Sequence, residues 1–348
     1  KELEQSYESV KLRASGIDTA EAKQKTIVTL YDNYFRKGFK KTTEQMGIVF
    51  TPVEVVDFIV KSVDWALDKY LGRSLADEKV HILDPFTGTG TFITRTLQYL
   101  KQQMDQGKIT YADILRKYMH ELHANEIVLL SYYIAAINIE TVFDEVNGPD
   151  EGYVPFNGIV LTDTFESTEK QPVLDDKLFG ENNARLKEQQ KDPITVIIGN
   201  PPYSAKQKNA NDDNSNLHYP NLEARISETY VKGSKSNNNA GIYDSYIKGL
   251  RWSSDRLQEK GVIGFVTNGQ YIDSNSADGL RASLYKEFNH LYIFNLRGNQ
   301  RTQGEQSRKE GGKIFGSGSR APIAISILVK DGSDAHELYY HDIGYYLS

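Results

Sequence analysis

Short apolar runs alternate with stretches of helical periodicity along most of this chain. Four short apolar runs are typical of buried strands, residues 80–83, 159–161, 195–198 and 262–266, and residues 122–126, which mix apolar and polar residues, are a further strand candidate. Between them, apolar positions recur at helical spacing and predict helices at residues 91–103, 109–118, 127–139 and 242–258. Strands that alternate with helices predict an α/β fold with a mainly parallel sheet, in which ligands bind at the carboxyl ends of the strands.

The two ends of the chain depart from this alternation. Residues 1–40 have a helix-forming composition and predict a helical lead-in, or a coupler to an upstream domain. A further helix is predicted to begin at Thr51-Pro52, because threonine is a good N-cap and proline suits the first helical turn. Residues 290–296 and 321–328 predict the two arms of a terminal antiparallel hairpin. This hairpin brings the predicted sheet to seven strands, within a second unit that comprises residues 41–348.

Two long segments, residues 204–240 and 297–320, show little apolar periodicity and predict loops. The second of these loops is rich in basic residues and glycine. It either stays in solvent or contacts the phosphates of a nucleic acid, and the candidate contacts are Arg297, Arg301, Arg308, Lys309 and Lys313.

Composition narrows the class of protein. The chain has 348 residues and no cysteine, so a disulfide framework and a cysteine-based zinc site are both excluded, and no other metal site is predicted. The absence of cysteine fits a reducing cytoplasm, where we expect the protein to be. A formal net charge of -6 argues against indiscriminate binding of nucleic acid, so any contact with DNA must come from local basic segments.

The tetrapeptide Asn200-Pro201-Pro202-Tyr203 follows the fourth predicted strand and carries the most specific chemistry. The Asn200 side-chain oxygen and the Pro201 carbonyl are two acceptors for the NH2 group of a planar amine, whose lone pair is otherwise spread into the π-system. The two prolines fix φ and hold both acceptors in place, and Tyr203 offers a ring that stacks on an extruded base. A proline-rich turn after a buried strand is the alternative.

A glycine turn, Asp84-Pro85-Phe86-Thr87-Gly88-Thr89-Gly90, joins the first predicted strand to a helix. Such a turn lets the backbone approach a ligand closely. Asp84 would repel a pyrophosphate, but it would attract a sulfonium cofactor that carries a free ammonium group. Pro85 and Phe86 are predicted to line the methionine part of that cofactor, and Thr51-Pro52 to close the site near the methionine carboxylate. A plain tight turn is the alternative.

Acidic residues at the ends of the next two predicted strands suit an adenosine. Glu126 is predicted to accept from both ribose hydroxyls, and Asp163 from the adenine amino group. Ile127, or Phe165 beyond Thr164, is predicted to pack on the adenine ring. Each acidic residue taken alone also fits a surface charge or a helix N-cap.

In this order, the motifs resemble those of class-γ amino-methyltransferases of DNA, which make N6-methyladenine from S-adenosylmethionine. Longer strings narrow the resemblance to the methyltransferase part of single-chain type ISP restriction-modification enzymes. These strings are residues 47–52, 123–127, 273–279 and 294–299. The resemblance covers residues 30–348, roughly, and so nearly the whole chain.

The resemblance implies a Rossmann-like methyltransferase fold that binds S-adenosylmethionine and methylates an adenine extruded from double-stranded DNA. It implies a catalytic role for residues 200–203 and cofactor contacts from Thr51-Pro52, the glycine turn, residues 126–127 and residues 163–165. Enzymes of this family carry a nuclease and a helicase-like ATPase ahead of the methyltransferase, and a target-recognition domain after it. We expect that last domain to be absent here or only begun, and the chain to be the host-protective part of a longer enzyme.

Three alternatives remain open from the residues. The same amide geometry serves N4 of cytosine, and an Asn-Pro-Pro-Tyr site also serves methylation of RNA guanine or of a protein glutamine. A non-catalytic DNA-binding module is the third alternative. Methylation of cytosine at carbon 5 is excluded, because that reaction needs a cysteine nucleophile.

Overall fold

The structure is a computed structural model. It describes residues 51–147, 152–169, 176–203, 218–236, 241–312, 314 and 320–346. The predicted lead-in at residues 1–40 lies outside this part of the chain.

An eight-stranded sheet forms the centre of the fold. Its strands are β1 (His81–Asp84), β2 (Leu122–Glu126), β3 (Ile159–Leu161), β4 (Ile194–Gly199), β5 (Gly261–Asn268), β6 (His290–Arg297), β7 (Ile323–Lys330) and β8 (Glu337–Asp342). Their order is β3-β2-β1-β4-β5-β7-β6-β8. Strands β1 to β5 are parallel, and β7 runs antiparallel to both β5 and β6. The predicted α/β fold with a terminal antiparallel hairpin is confirmed.

The eighth strand is an addition to the seven that the sequence predicts. Strand β8 lies at the edge of the sheet and pairs in parallel with β6. Five of its six residues are exposed, so its sequence lacks the apolar run or alternation that marks a buried strand.

Helices cover both faces of the sheet. They are α1 (Val53–Leu71), α2 (Thr91–Asp105), α3 (Tyr111–Arg116), α4 (Leu129–Asn147), α5 (Asp176–Gln189), α6 (Pro220–Ile226), α7 (Ser245–Arg256), α8 (Asp278–Glu287) and α9 (Gly304–Lys309). None of the helices in these described segments has the length and apolar character to span a membrane.

The core has two layers, one on each face of the sheet. In β4, Val196 and Ile198 contribute to the layer that α1, α2 and α4 cover, whereas Ile197 contributes to the layer under α7 and α8. A parallel strand that is buried on both faces appears in sequence as a continuous apolar run, which is why residues 195–198 predict this strand so clearly.

Helix α1 is held close to the sheet, and its position matters for the site. It packs against β5 at Gly264, where a Cβ would come 2.5 Å from Val63 Cγ2 and 2.9 Å from Ile59 Cγ2. A larger residue at position 264 would therefore push the helix away. Because α1 begins at Val53, this contact also holds Thr51-Pro52 at the carboxyl end of the strands.

Part of the predicted loop at residues 204–240 is helical, which corrects the sequence analysis. Helix α6 continues as a π-helical turn, Ser227–Val231. Leu222, Ile226 and Tyr230, spaced by four residues, are buried against the second core layer. The Asn- and Ser-rich composition of the segment masks this short periodicity. The other predicted loop, residues 297–320, likewise contains α9.

Helix α8 approaches the π-helical turn after α6 so closely that Gly279 has no space for a side chain. A Cβ at this position would come 1.9 Å from the Tyr230 carbonyl oxygen, a backbone atom that cannot rotate away. We predict that Gly279→Ala lowers the free energy of unfolding by about 1–3 kcal/mol or more, through overpacking. Gly180→Ala, where a Cβ would meet open space, is the matched control and should change it by less than about 1 kcal/mol. Equal effects in urea denaturation would contradict this packing.

Candidate active site

The glycine turn after β1 leads directly into α2. Gly88 and Gly90 have φ of 56° and 88°, in the left-handed region that glycine tolerates, and Gly90 caps the helix. Gly90 also faces α4, since a Cβ there would come 3.3 Å from the Ala135 backbone. The Thr87 hydroxyl is buried and donates to the Asp84 carbonyl, so it stabilises the turn itself.

Asp84 is fully buried beneath this turn. Its Oδ1 accepts from the Phe86 N–H at 3.0 Å, whereas Oδ2 has no hydrogen-bond partner among the described residues. Burial, with a smaller contribution from the nearby Glu126 charge, raises the pKa of Asp84 to about 8. At neutral pH the carboxyl therefore carries a proton.

Glu126, at the end of β2, closes over the glycine turn. Its Oε2 accepts from the Gly88 N–H at 2.7 Å, and its Oε1 accepts from the Val128 N–H at 2.7 Å. Burial raises the pKa of Glu126 to about 7, although the backbone donors oppose this shift. Next to it, Ile127 is 52% exposed, which is unusual for a large apolar side chain directly after a buried strand.

The segment after β3 makes hydrogen bonds to Tyr219 and to the glycine turn. Asp163 Oδ1 accepts from the Phe165 N–H at 2.9 Å, and Oδ2 accepts from the Tyr219 hydroxyl at 2.7 Å. The Thr164 hydroxyl is buried and donates to the Pro85 carbonyl at 2.6 Å, which joins this segment to the glycine turn. Sequence reasoning missed Tyr219, since nothing in its sequence context links it to Asp163.

The Asn200 carboxamide is held on both sides. Its Nδ2 donates to the Thr51 hydroxyl at 2.9 Å, and its Oδ1 accepts from the Tyr203 hydroxyl at 2.6 Å. These two hydrogen bonds hold the amide in place between Thr51 and Tyr203. The Thr51 hydroxyl therefore contacts Asn200, a contact that the sequence analysis did not predict.

Tyr203 packs inward in this structure, and its stacking on an extruded base stays a prediction. Its ring packs against both core layers, and its hydroxyl also lies 3.4 Å from the Val266 carbonyl oxygen. Tyr246 meets it edge-on, with ring centroids 6.4 Å apart. The Tyr203 hydroxyl has acceptors inside the protein, Asn200 Oδ1 and the Val266 carbonyl oxygen, and these hydrogen bonds favour the inward orientation of the ring. Stacking on a base would require the ring to turn outward.

The glycine turn and Asn200 lie side by side because β1 and β4 are neighbours in the sheet. A Cβ at Gly199 would come 2.8 Å from Asp84 Oδ1. Pro201 and Phe86 both lie against Gly249 of α7, where a Cβ would come 3.0 Å from Pro201 and 3.3 Å from the Phe86 ring. The two predicted motifs therefore form one continuous surface at the carboxyl edge of the sheet.

The basic residues of the segment 297–320 differ in exposure and in their partners. Arg297 is paired with Asp342 through two hydrogen bonds and lies 3.7 Å from Glu310, so its predicted role as a free phosphate contact is corrected to an internal ion pair. Arg301 and Arg308 are exposed. Lys309 lies over the Tyr345 ring at 5.7 Å, and Lys313 falls outside the described residues.

Comparison with known proteins identifies the family of this chain. The sequence profile of the N-6 DNA Methylase family matches residues 23–240. The chain belongs to that family. The resemblance predicted from the motifs is thereby confirmed at the level of the family.

Solved structures of N-6 DNA methylase relatives match nearly the whole chain. A nuclease-deletion mutant of the type ISP restriction-modification enzyme LlaGI, in complex with a DNA substrate mimic, is 68% identical over 100% of this chain, with a TM-score of 0.91. The type ISP enzyme LlaBIII bound to DNA is 58% identical over 100% of the chain, with a TM-score of 0.90. A DrdV–DNA complex is 38% identical over 98%, with a TM-score of 0.84. The chain spans 28%, 24% and 32% of these proteins, respectively.

The raised pKa of Asp84 has a measurable consequence for the stability of this methylase chain. The folded protein keeps this proton up to about pH 8, whereas the unfolded chain loses it near pH 4, so the folded state binds more protons in between. The contribution of Asp84 to stability is therefore greatest at low pH and falls as pH rises, by up to about 1.4 kcal/mol per pH unit.

We predict that Asp84→Asn flattens this part of the pH profile, as measured by urea denaturation between about pH 5 and pH 8. The Glu126 charge acts on Asp84, so the difference from the original chain reports Asp84 together with its coupling to Glu126. Asp105→Asn, at the exposed end of α2, is the control and should leave the profile unchanged. A profile that Asp84→Asn does not alter would contradict protonation of this carboxyl.

Proposed function

We propose that this chain is the catalytic domain of a site-specific DNA methyltransferase. It transfers a methyl group from S-adenosylmethionine to N6 of an adenine extruded from double-stranded DNA, as the host-protective part of a longer restriction-modification enzyme. Membership of the N-6 DNA methylase family and similarity to DNA-bound LlaGI and LlaBIII support this proposal. The observation that carries it is the Asn200 carboxamide, oriented by two hydrogen bonds beside the glycine turn.

The residues around the glycine turn fit a cofactor that combines a cationic group with an adenosine. Asp84 Oδ2 is buried and has no hydrogen-bond partner among the described residues, and a ligand ammonium group would pair with this carboxyl once its proton is released. Because Asp84 is fully buried, direct contact requires the wall around it to open. Glu126 accepts two backbone donors and keeps lone pairs for ribose hydroxyls, while the exposed Ile127 offers an apolar surface to the adenine.

Asp163 fits its predicted role less directly than Glu126. Each of its oxygens already accepts one donor, from Phe165 and from Tyr219, so a contact with the adenine amino group would add a further donor. Thr164 is buried and Phe165 packs 5.5 Å from the Phe86 ring, so both support the wall of the cofactor site.

Asn200 and Pro201 would supply the chemistry on the substrate side. Asn200 Oδ1 has a second lone pair besides the one that Tyr203 uses, and with the Pro201 carbonyl it would accept from the N6 amino group. These acceptors favour the developing positive charge on nitrogen, because they are already oriented before the reaction. S-adenosylmethionine, when bound, supplies the electrophilic methyl group. The absence of cysteine agrees with direct transfer, without a covalent enzyme intermediate.

The DNA would be held by local basic groups, since the chain as a whole is acidic. Arg301 and Arg308 are exposed and fit phosphate contacts. Further contacts would come from the other domains of the longer enzyme, among them the nuclease, the helicase-like ATPase and the target-recognition domain that the resemblance implies.

We predict that Asn200→Ala lowers kcat for methyl transfer by about 100-fold or more, with cofactor affinity kept, because it removes one oriented acceptor. The measurement is transfer of labelled methyl to duplex DNA, followed by mass spectrometry of the nucleosides. Asn221→Ala, on the exposed surface of α6, is the control. N6-methyladenine supports the proposal, whereas N4-methylcytosine, or label in RNA or protein instead of DNA, would contradict it.

A second prediction concerns Thr51, which orients Asn200 in this structure. Thr51→Val keeps the shape but removes the acceptor for Asn200 Nδ2, so kcat should fall by about 10-fold or more, the effect of roughly 1.4 kcal/mol. The KM for S-adenosylmethionine should stay within about twofold, and Thr51→Ser, which keeps the hydroxyl, should retain most activity. A raised KM with unchanged kcat would instead indicate that Thr51 binds the methionine carboxylate.

A further inference from the structure

Three polar side chains meet at the edge of the sheet that lies opposite the candidate active site. His81 is the first residue of β1, His123 is the second residue of β2, and Asp192 precedes β4 by two residues. Because β2, β1 and β4 are adjacent parallel strands, their amino ends lie at the same edge. The cluster therefore joins three neighbouring strands at the end that the proposed methyl transfer does not use.

One potential metal-ligand atom from each side chain lies close to those of the other two. His81 Nδ1 lies 2.9 Å from His123 Nε2, and His123 Nε2 lies 3.6 Å from Asp192 Oδ2. All three atoms lie within 4.8 Å of one another. In a tetrahedral site with bonds of about 2.0–2.1 Å, neighbouring ligand atoms are about 3.3 Å apart, so small side-chain movements would complete the geometry.

The protonation states in this cluster suit a cation. Burial lowers the pKa of His123 to about 3, and burial also lowers the pKa of His81 although Asp192 and Glu121 oppose the shift. In the hydrogen bond between the rings one of the two facing nitrogens carries the proton, and with that proton on the other nitrogen of its ring each imidazole would offer a lone pair to a cation. Desolvation raises the pKa of Asp192, which the charge of a bound cation would reverse.

The charged groups around the cluster are already engaged with other partners. The Arg256 guanidinium donates to the carbonyls of Gln189 and Asp192, which places it behind the Asp192 backbone. Lys117 is buried, pairs with Glu121 at 2.8 Å and donates to two further backbone carbonyls. These two cations lower the affinity for a third, and the hydrogen bonds that they make are to groups outside the cluster side chains.

We propose that His81, His123 and Asp192 bind one divalent transition-metal ion of the Zn²⁺ type. Two imidazoles and one carboxylate favour Zn²⁺, Co²⁺ or Ni²⁺ over Mg²⁺ and Ca²⁺, which prefer sites made of oxygen ligands. The Asp192 side chain is 31% exposed, so solvent completes the coordination on that side. The ion would tie the amino ends of β1, β2 and β4 together.

The rival explanation is a hydrogen-bonded pair of histidines without a metal ion. The two rings are nearly parallel, with an interplanar angle of 9° and centroids 5.2 Å apart, and a hydrogen bond between them satisfies one nitrogen of each. The two explanations differ in one measurable property, which is affinity for a divalent cation that depends on both His81 and Asp192.

The test is metal binding by the full chain after treatment with a chelator. Co²⁺ is titrated and followed by its visible absorption, Zn²⁺ is then added as a competitor, and stoichiometry is measured by equilibrium dialysis. We expect one ion per chain, with affinity weakened by roughly 100-fold in His81→Gln and in Asp192→Asn. Both positions are partly exposed, so these variants should fold. His120→Gln, an exposed histidine outside the cluster, is the matched control.

A thermal unfolding series accompanies the titration. Zn²⁺ in excess should raise the midpoint of the original chain and of His120→Gln, because an ion that binds the folded state selectively stabilises it. The two cluster variants should show a smaller rise at the same Zn²⁺ concentration, because their affinity is weaker. Binding that is unchanged in both cluster variants, or no binding at micromolar Zn²⁺, would overturn the proposal. Since the readout is metal binding, either outcome is independent of whether the chain methylates DNA.

Discussion

The candidate site depends on the close approach between the ends of β1 and β4. These strands are parallel neighbours, so the turn after Asp84 and the turn after Gly199 emerge at the same edge of the sheet. Gly199 permits the approach, since a Cβ there would come 2.8 Å from Asp84 Oδ1. The carboxyl next to the proposed cofactor and the amide next to the proposed substrate are thus held together by backbone pairing, before any ligand is present.

This arrangement places two poorly solvated carboxyl groups in one site. Asp84 and Glu126 both have raised pKa values because burial penalises their charged forms. Groups of this kind reduce stability unless a ligand satisfies them, and they concentrate where proteins bind and react. The two core layers, which are almost entirely apolar on either face of β4 and β5, tolerate that cost because they bury every residue of β5. The free-energy cost of burying two carboxyl groups is therefore compatible with a stable sheet.

Much of the fold could be predicted from the sequence, because burial leaves a local pattern. The runs that form β1, β3, β4 and β5 are largely apolar since both faces of these strands are covered. Strand β2 carries three polar residues, yet β2 and β3 begin and end where the pattern predicts. Strand β8 could not be predicted, because an exposed edge strand leaves no such pattern. Helix α6 was not predicted, because it lies in a segment whose polar composition is typical of a loop.

The sequence predicts which residues belong to the site, but it does not predict which of them contact each other. The motifs around Asp84 and Asn200 are short and local, so they appear in sequence as they do in the fold. The contacts between Thr51 and Asn200, or between Tyr219 and Asp163, join residues 149 and 56 positions apart, and no local pattern encodes them. Arg297 shows the same limit: its charge is visible in the sequence, but its pairing with Asp342 of the unpredicted β8 is not.

The two edges of the sheet are physically connected through β1. This strand has four residues, so its ends are about 10 Å apart, and it carries His81 at one end and Asp84 at the other. Hydrogen bonds to β2 and β4 along its length make it a stiff element. A restraint at His81, of the kind that the proposed metal ion would provide, would limit sliding of β1 against β4. Reactions of oriented groups lose much of their rate when the groups are misplaced by about 1 Å. A sheet fastened at its amino edge is therefore a suitable support for an amide that must be correctly oriented at its carboxyl edge.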